Sequence, residues 1–363
     1  MVPQSPSEWP LHYLRWAKIR QRGAIDLATS GVKACALSDL ALAGEDLAIN
    51  GPNDEGYVPL MEAIANRYGL RTGQIVTATG TSGANFLVFG ALLKPGDEVL
   101  IEQPGYGPLV AVPQYLGATI KRFQRSFERQ FGVDTGEILN AITPRTKLVV
   151  LTNPHNPTGA VLPVEALREI GGAAARVGAS VLVDEVYLDG IWRDRPSTAA
   201  SLGAPFISTS SLTKIYGLAG LRCGWVAAPL ELAGRIREMH DIVDGTGPVP
   251  TEMLGVVAIR KLDQLRERSR RLLAANMEIF QQWMHGQERL EWVEPSGGTV
   301  GFPRFRDLAD SEPFIERLLS QQGISLVPGK FFDLPAHFRC GLGGDTAALV
   351  RGLDGLGQAL RGC

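Results

Sequence analysis

Cysteine is scarce in this sequence, and none of it is arranged as a zinc site or a redox pair. The four cysteines, Cys35, Cys223, Cys340 and Cys363, are scattered along the chain without a Cys-x-x-Cys spacing. Structural zinc sites and dithiol motifs depend on such spacings. In a chain of 363 residues, scattered cysteines indicate free thiols in a reducing compartment, and no metal site is expected.

Long apolar runs and a strong net charge are also absent. No uninterrupted stretch of about 18 apolar residues occurs, so no membrane span is expected. Residues 1–10 contain no basic segment followed by an apolar run, and no secretory signal is predicted. A net charge of −2 gives no indication of binding to nucleic acid or to an anionic membrane surface. We therefore expect a cytoplasmic protein.

What the sequence does contain is an ordinary globular composition and an alternation of apolar runs with helical segments. The length favours two domains, and 45% hydrophobic with 20% charged residues argues against disorder. Short β-branched runs occur at residues 75–78, 99–102, 119–123, 147–151, 180–184, 206–209 and 223–227. Their alternation with helical segments predicts βαβ units and a largely parallel, buried sheet.

The flanking regions have a different pattern. Helical spacing occurs over residues 9–22 and 54–68, and a long charged segment over residues 252–282 predicts a surface or interdomain helix. Beyond it, short strand-like runs occur at residues 290–293, 299–303, 324–327 and 338–341. Together with two further helical segments, these runs predict a smaller α+β domain.

Polar residues are concentrated where the predicted strands end, which is where open α/β sheets bind ligands. Taken alone, each group has a structural explanation: a small-residue turn caps a helix, Asp184 is a possible N-cap, and a lysine after a strand is usually solvated. Their occurrence in order at successive strand ends indicates one ligand site. The groups are Gly80-Thr81-Ser82-Gly83, Gln103-Pro104-Gly105-Tyr106, Asn153-Pro154-His155-Asn156-Pro157-Thr158-Gly159, Asp184-Glu185-Val186-Tyr187, and Ser208, Ser210, Ser211, Lys214 and Arg222.

This order resembles the class I/II aminotransferase family of fold-type I pyridoxal-phosphate (PLP) enzymes. The resemblance spans residues 25–345, and its most specific part is the combination of VLVDEVY with SLTKIYGLAGLRCGW. The other matching stretches are GTSGAN, KPGDEVLIEQPGYGPL, NPHNPTG, VPGKFF and HFRCGLGG.

The resemblance implies roles for the residues around the cofactor ring. Lys214 would form the internal aldimine, a Schiff base with PLP, and then act as the base that moves the substrate proton. Asp184 would keep the pyridine nitrogen protonated, which makes the ring an electron sink. Asn156 and Tyr187 resemble the partners of the ring 3-hydroxyl, and Tyr106 the aromatic residue that stacks on the ring.

The resemblance also implies a phosphate site. The backbone N–H groups of Thr81 and Ser82, at the start of a helix that opens at Gly80, would face the phosphate. Ser211 and Arg222 would complete the site with a hydroxyl and a charged fork.

A substrate site is implied as well. Arg339 matches the family arginine that holds the α-carboxylate through two parallel hydrogen bonds. The Ser30-Gly31 turn is similar to the segment that closes over this carboxylate, and Asn156 would border it.

The sequence departs from the family pattern at two places. The tyrosine with which many members reach the phosphate of a partner subunit is missing from residues 49–56, and Tyr57 lies on the wrong side of Gly56. Thr251 aligns only loosely with a residue that contributes a hydroxyl across the dimer. No arginine clearly matches the one that reads a dicarboxylate side chain, although Arg235 or Arg237 could lie nearby.

Several functions remain open within the resemblance. Cofactor and lysine do not determine which bond at Cα breaks, so a carbon–sulfur β-lyase or another eliminating or decarboxylating enzyme is the alternative to an aminotransferase. The GTSGAN segment is also similar to that of aminocyclopropane-carboxylate synthases. The effector module of a transcriptional regulator is disfavoured, because the fold begins within about 25 residues of the start and the chain is nearly neutral.

We therefore predict an α/β protein with a mostly parallel, mixed seven-stranded sheet flanked by helices, and a smaller α+β domain. The large PLP-binding domain is predicted at residues 45–258, and residues 1–44 and 259–363 form the small one. The resemblance implies a homodimer with shared active sites and a ping-pong transfer from an amino acid to a 2-oxo acid.

Overall fold

The computed structural model describes residues 12–20, 23–42, 48–191 and 197–362. Its strands are β1 (Ile25–Asp26), β2 (Ile75–Thr79), β3 (Glu98–Gln103), β4 (Thr119–Gln124), β5 (Thr146–Thr152), β6 (Ser180–Asp184), β7 (Phe206–Ser211), β8 (Cys223–Ala227), β9 (Leu290–Glu291), β10 (Val300–Gly301), β11 (Arg304–Phe305), β12 (Ile324–Ser325), β13 (Val327–Pro328) and β14 (Phe338–Gly341). Its α-helices are α1 (His12–Ile19), α2 (Val58–Tyr68), α3 (Gly80–Leu92), α4 (Gly107–Tyr115), α5 (Thr135–Ala141), α6 (Val164–Arg176), α7 (Leu230–Val243), α8 (Val249–Arg260), α9 (Leu262–His285), α10 (Glu312–Gln322) and α11 (Thr346–Arg361).

Seven of these strands form the central sheet, in the order β2-β8-β7-β6-β5-β3-β4. Neighbouring strands are parallel except for β8, which is antiparallel to both β2 and β7. The prediction of an α/β fold with a mostly parallel, mixed seven-stranded sheet is confirmed. The sheet could be predicted because both faces of its central strands are buried, which requires continuous apolar runs such as residues 148–151 and 181–183.

Helices cover both faces of this sheet. Apolar side chains of α3, α4 and α7 pack on one face, against residues such as Ile101, Val150 and Leu182. Those of α5 and α6 pack on the other face, against Leu100, Val149 and neighbouring positions. The β2–β8 end is covered by α2 and α8. Since helices fill both faces, the carboxyl edge of the parallel strands is the open region left for a ligand.

Of the remaining elements, α9, α10 and α11 pack around β12 and β14 in a separate apolar cluster. Strand β1 pairs in parallel with β12, Ile25 with Ile324 and Asp26 with Ser325. This pairing joins the N-terminal segment to the C-terminal third of the chain. The division into residues 45–258 and the remainder stays a prediction, and residues 44 and 45, where it falls, lie outside the described residues.

Three predicted helices differ in extent from those observed. The segment at residues 252–282 is not one helix: it is divided at Lys261 into α8 and α9, because the Lys261 N–H bonds the Ala258 carbonyl, three residues back, and its ammonium group bonds the Leu40 carbonyl. Helix α2 begins at Val58 rather than at Asp54. Of the segment predicted at residues 9–22, residues 12–19 are helical, and residues 9–11 and 21–22 lie outside the described residues.

Among the described helices, none combines the length and the hydrophobicity that a membrane span requires.

A fully buried ion pair supports the carboxyl end of β3. The Glu102 carboxylate accepts hydrogen bonds from Arg125 Nη1 at 2.9 Å and from the Thr152 backbone N–H at 2.7 Å. Arg125 Nε donates to the Phe131 carbonyl, and neither charged side chain is exposed to solvent. The pair therefore links β3 to β5 and to the loop that follows β4.

Replacing Arg125 with methionine should lower the free energy of unfolding by about 3–5 kcal/mol, because Glu102 would be left buried without its cation. The matched control is Arg270→Met, whose pair with Glu267 is exposed and screened by solvent, so its loss should lower the stability far less. Urea titration of the two variants measures both values. Equal, small losses would show that the buried pair does not stabilise this edge.

Candidate active site

The carboxyl edge of the sheet carries a cavity of about 180 Å³. It lies at the ends of β5, β6 and β7 and at the start of α3, and residues 13, 14 and 30 of the N-terminal segment complete its wall. Of the residues selected from the sequence, those that line it are Ser30, Thr81, Ser82, Tyr106, Asn156, Asp184, Tyr187, Lys214 and Arg222. Gly31, Gly80, Ser211 and Arg339 lie behind these residues, as described below.

Lys214 follows β7, and its side chain enters the cavity. Its Nζ lies 3.1 Å from Ser30 Oγ, and its backbone carbonyl accepts a hydrogen bond from the Val32 N–H. Burial lowers the pKa of Lys214, and the positive charges of Arg339 and Arg222 act in the same direction. A lysine with a lowered pKa holds more of the neutral amine, which is the nucleophilic and basic form.

Asp184 ends β6 on the facing wall. Its carboxylate accepts hydrogen bonds from Asn85 Nδ2 at 2.9 Å and from the Val186 N–H at 3.1 Å. Within the described ranges no basic side chain forms a salt bridge with it, and burial raises its pKa to about 6. A cationic group of a ligand would pair with a buried carboxylate of this kind.

Asn85 was not identified from the sequence. It lies in α3, and its amide oxygen accepts a hydrogen bond from the Thr209 hydroxyl at 2.6 Å while its nitrogen donates to Asp184. This chain of hydrogen bonds fixes the Asp184 carboxylate. The signal was present in the GTSGAN stretch, but only the fold brings α3 against the ends of β6 and β7.

The NPHNPTG segment is held by a buried histidine. His155 Nε2 lies 3.0 Å from the Pro104 carbonyl, and its Nδ1 lies 2.7 Å from Thr158 Oγ1. Burial holds the pKa of His155 well below its ordinary value, so the ring is neutral. The histidine thus links the loop that carries Asn156 to the loop that carries Tyr106.

Two tyrosines and one asparagine border the space between Lys214 and Asp184. Burial raises the pKa of Tyr187 to about 12, while the charge of Arg339 acts in the opposite direction. Burial also raises the pKa of Tyr106. Asn156 Oδ1 accepts a hydrogen bond from Arg339 Nη1 at 3.1 Å, so it joins the cavity wall to the buried arginine behind it.

The first turn of α3 supplies backbone donors at one end of the cavity. Its N–H groups have no intrahelical partner, which is the usual basis of anion binding. Thr81 Oγ1 donates to Ser211 Oγ at 2.8 Å, which places Ser211 beside the same turn. Gly80 has a φ of 75°, and a Cβ there would lie 2.4 Å from Arg222 Nη2. A side chain here would displace the guanidinium, and the positive φ also favours glycine.

Arg339 lies on β14 with 1% of its surface exposed. Besides the bond to Asn156, it donates from Nη2 to the Ala28 carbonyl at 3.1 Å, and its Nε is buried without a hydrogen-bond partner among the described residues. The adjoining turn is anchored by Thr299, whose hydroxyl donates to the Ser30 carbonyl at 2.7 Å, and Gly31 lies against the Lys214 backbone.

Tyr13 is a second residue that was not identified from the sequence. It lies on α1, lines the cavity, and has its hydroxyl 2.7 Å from Arg339 Nη2. Although burial opposes the change, the charge and hydrogen bond of Arg339 lower the pKa of Tyr13. No motif marks this tyrosine, because its place depends on how α1 packs on the distant segment at Phe331 and Phe332.

The two arginines considered for reading a dicarboxylate side chain, and the two hydroxyls considered for a contact across the dimer, lie outside this cavity. Arg235 and Arg237 are on α7, where they donate to the carbonyls of Ala91 and Ile75, so neither is placed to read a substrate side chain in this cavity. Tyr57 caps α2, and Thr251 lies in α8; neither lines the cavity of this chain. In the described part of the chain, no group of three or more histidine, cysteine or acidic residues is arranged to hold a metal ion.

Comparison with known proteins gives similarity over nearly the whole length. A family model described as aminotransferase class I and II matches residues 24–356. Capreomycidine synthase of Streptomyces vinaceus is 29% identical, covering 99% of this chain and 95% of that protein. The arginine–pyruvate transaminase AruH of Pseudomonas aeruginosa is 28% identical, covering 97% and 92%. The crystal structure of the PLP-dependent cyclase OrfR superposes with a TM-score of 0.90 at 27% identity, over 100% of this chain and 98% of that one.

Proposed function

Because the chain belongs to the class I and II aminotransferase family and is a transferase that uses pyridoxal phosphate, we propose that it moves an amino group from an amino acid to a 2-oxo acid in a ping-pong reaction. The observation that carries the proposal is that Lys214 and the buried Asp184 carboxylate line one cavity at the start of α3. We assign the cofactor lysine to Lys214.

The residues of the cavity fit the cofactor in three respects. Asp184 is a buried anion that needs a cation, and a protonated pyridine nitrogen is one. The free N–H groups of α3, with Arg222 against Gly80, suit a phosphate dianion. Thr213 lines the cavity and has a buried hydroxyl without a hydrogen-bond partner in the described chain, which leaves a donor for a ligand oxygen.

When bound, pyridoxal phosphate supplies an electron sink that stabilises negative charge at the substrate Cα. The chain supplies the base: the neutral amine of Lys214, favoured by its lowered pKa, would take the proton from the substrate Cα and deliver it to the cofactor carbon C4′. Ser30 Oγ, at 3.1 Å, orients that amine. Tyr187 and Asn156, which line the cavity, would hold the ring oxygen, and Tyr106 would contact the ring face.

We further propose that Arg339 holds the substrate α-carboxylate, with Asn156 beside it. Replacing Arg339 with lysine should raise KM for both the amino acid and the oxo acid by about 10- to 100-fold, with a smaller effect on kcat, because an ammonium group cannot form two parallel hydrogen bonds. Steady-state kinetics with varied amino acid and varied oxo acid measures the effects on KM and on kcat separately. Arg351→Lys, on the exposed face of α11, is the control and should leave both constants unchanged. A fall in kcat with unchanged KM would contradict the assignment.

The overall activity is tested by a half-reaction. Purified enzyme is mixed with one amino acid and no oxo acid, and the panel begins with arginine because AruH is named for arginine and pyruvate. We expect one oxo acid released per active site, loss of the visible cofactor band, and return of the band when pyruvate is added. Continuous release of ammonia without an acceptor would contradict amino transfer.

A second function is favoured by two relatives, capreomycidine synthase and the cyclase OrfR, which match 99% and 100% of this chain. The same abstraction of the Cα proton by Lys214 permits elimination of a group on Cβ, followed by ring closure or release. A carbon–sulfur β-lyase belongs to this class. Incubation with amino acids that carry a leaving group on Cβ distinguishes it: this function predicts many turnovers without an oxo acid and with a persistent cofactor band.

We also propose a homodimer in which each subunit completes the active site of the other, as the family implies. Light scattering should then give a mass twice that of the 39.1 kDa chain. A cytoplasmic location stays a prediction from the sequence.

A further inference from the structure

Arg339 is already engaged by Tyr13 in the described chain. The guanidinium uses Nη1 for Asn156 and Nη2 for both the Ala28 carbonyl and the Tyr13 hydroxyl, at 2.7 Å for the last. No carboxylate of the described ranges forms a salt bridge with Arg339, and its Nε has no partner. The Tyr13 oxygen thus occupies a position on the fork that a carboxylate oxygen would need.

The environment of Tyr13 allows its ring to move. Within the described ranges its hydroxyl makes one hydrogen bond, to Arg339, and the Arg339 guanidinium also lies 5.4 Å from the centroid of its ring. The other ring contacts are with the aromatic side chains of Trp16, Phe331, Phe332 and Tyr106, and none of these bonds the hydroxyl.

A second cavity adjoins Tyr13 and supplies space for that movement. Tyr13 lines a second cavity of about 260 Å³, whose wall also includes Gly105, Val110 and Lys330. It also lines the cavity that contains Lys214, so this one side chain borders both spaces.

We propose that Tyr13 is a gate for the substrate carboxylate. Its phenol holds Arg339 while no substrate is bound, and an incoming carboxylate displaces the hydroxyl from Nη2 as the ring turns towards the second cavity. Tyr13 is therefore a positioning residue that acts through Arg339. The inference rests on the proposed role of Arg339 as the carboxylate site.

A gate of this kind competes with the substrate carboxylate for Arg339. Its removal should therefore raise the affinity for the substrate, whereas the loss of a supporting residue would lower it. Tyr13→Phe retains the ring and its aromatic contacts but removes the hydroxyl. With the competing hydrogen bond gone, the PLP-loaded variant should bind pyruvate about three- to tenfold more tightly than the parent enzyme, measured by isothermal titration calorimetry. KM for the amino acid should fall with it, by a larger factor than any change in kcat. Unchanged or weaker pyruvate binding would overturn the gate, because a supporting role predicts a loss of affinity.

Two further variants make the result specific. Trp16 lies on the same helix and contacts Tyr13 and Phe331, but it makes no hydrogen bond to Arg339 within the described residues. The substitution Trp16→Phe should therefore leave pyruvate affinity unchanged. Tighter binding by Trp16→Phe would trace the effect to helix packing and overturn the inference. Arg339→Lys separates the two claims. If it leaves pyruvate affinity unchanged, the carboxylate site itself is wrong; if it weakens binding while Tyr13→Phe does not strengthen it, only the gate is wrong.

Discussion

Lys214→Ala should lower turnover by about 1,000-fold or more while the chain remains folded. The lysine has two proposed roles, to hold the cofactor covalently and to move the Cα proton. A positioned base alone raises the reaction rate by about 100- to 10,000-fold. Burial that lowers the pKa of Lys214 favours both roles, because each requires the neutral amine. The fold should tolerate the change, since the Lys214 carbonyl, which binds Val32, is retained.

The measurement is single-turnover release of oxo acid, with Lys147→Ala, an exposed lysine at the start of β5, as the matched control. The control should retain full activity. Added methylamine should partly restore the rate of Lys214→Ala, because a free amine can carry the proton in place of the side chain. A variant that keeps more than about a tenth of the parent rate would exclude Lys214 as the base.

Asp184→Asn should lower kcat by about 100- to 1,000-fold, in the range lost when one electrostatic contact to developing charge is removed. The substitution keeps the size of the side chain and one acceptor oxygen. Its NH2 group would face a donor, either Asn85 Nδ2 or the Val186 N–H, so one of the two hydrogen bonds to this side chain is lost. It removes the negative charge, and a neutral amide cannot hold a ring nitrogen in its protonated form.

Two readouts identify this effect as electrostatic. The dissociation constant for the cofactor should rise, and the absorbance band should shift at a pH where the parent band is constant. Asp354→Asn, exposed on α11, is the control and should match the parent in both. If both kcat and the spectrum were unchanged, the proposed role of Asp184 in holding the cofactor ring would be wrong.

The sheet and much of the site could be predicted because they follow from local rules. Buried parallel strands need continuous apolar runs, and the residues that end such strands meet at one edge. This is why Asp184, Asn156 and Lys214, far apart in the chain, were expected together and line one cavity. The family indicated by these motifs is confirmed by the match over residues 24–356.

The residues that sequence reasoning missed depend on tertiary contacts. Tyr13 lies 326 positions from Arg339, and only the packing of α1 on the segment around Phe331 brings them together. Asn85 lies one turn inside α3, where nothing in the helical pattern distinguishes a side chain that faces Asp184. The break at Lys261 has a similar origin, since its ammonium group bonds the carbonyl of Leu40 from the N-terminal segment.

The central claim is that Lys214 carries the cofactor, and reductive trapping tests it most directly. The PLP-loaded enzyme is treated with borohydride, digested, and mapped by mass spectrometry. The account predicts the reduced cofactor on the peptide that contains Lys214, at about one per chain, and its absence after prior conversion with an amino acid donor. A cofactor trapped on another lysine, or on none, would contradict it.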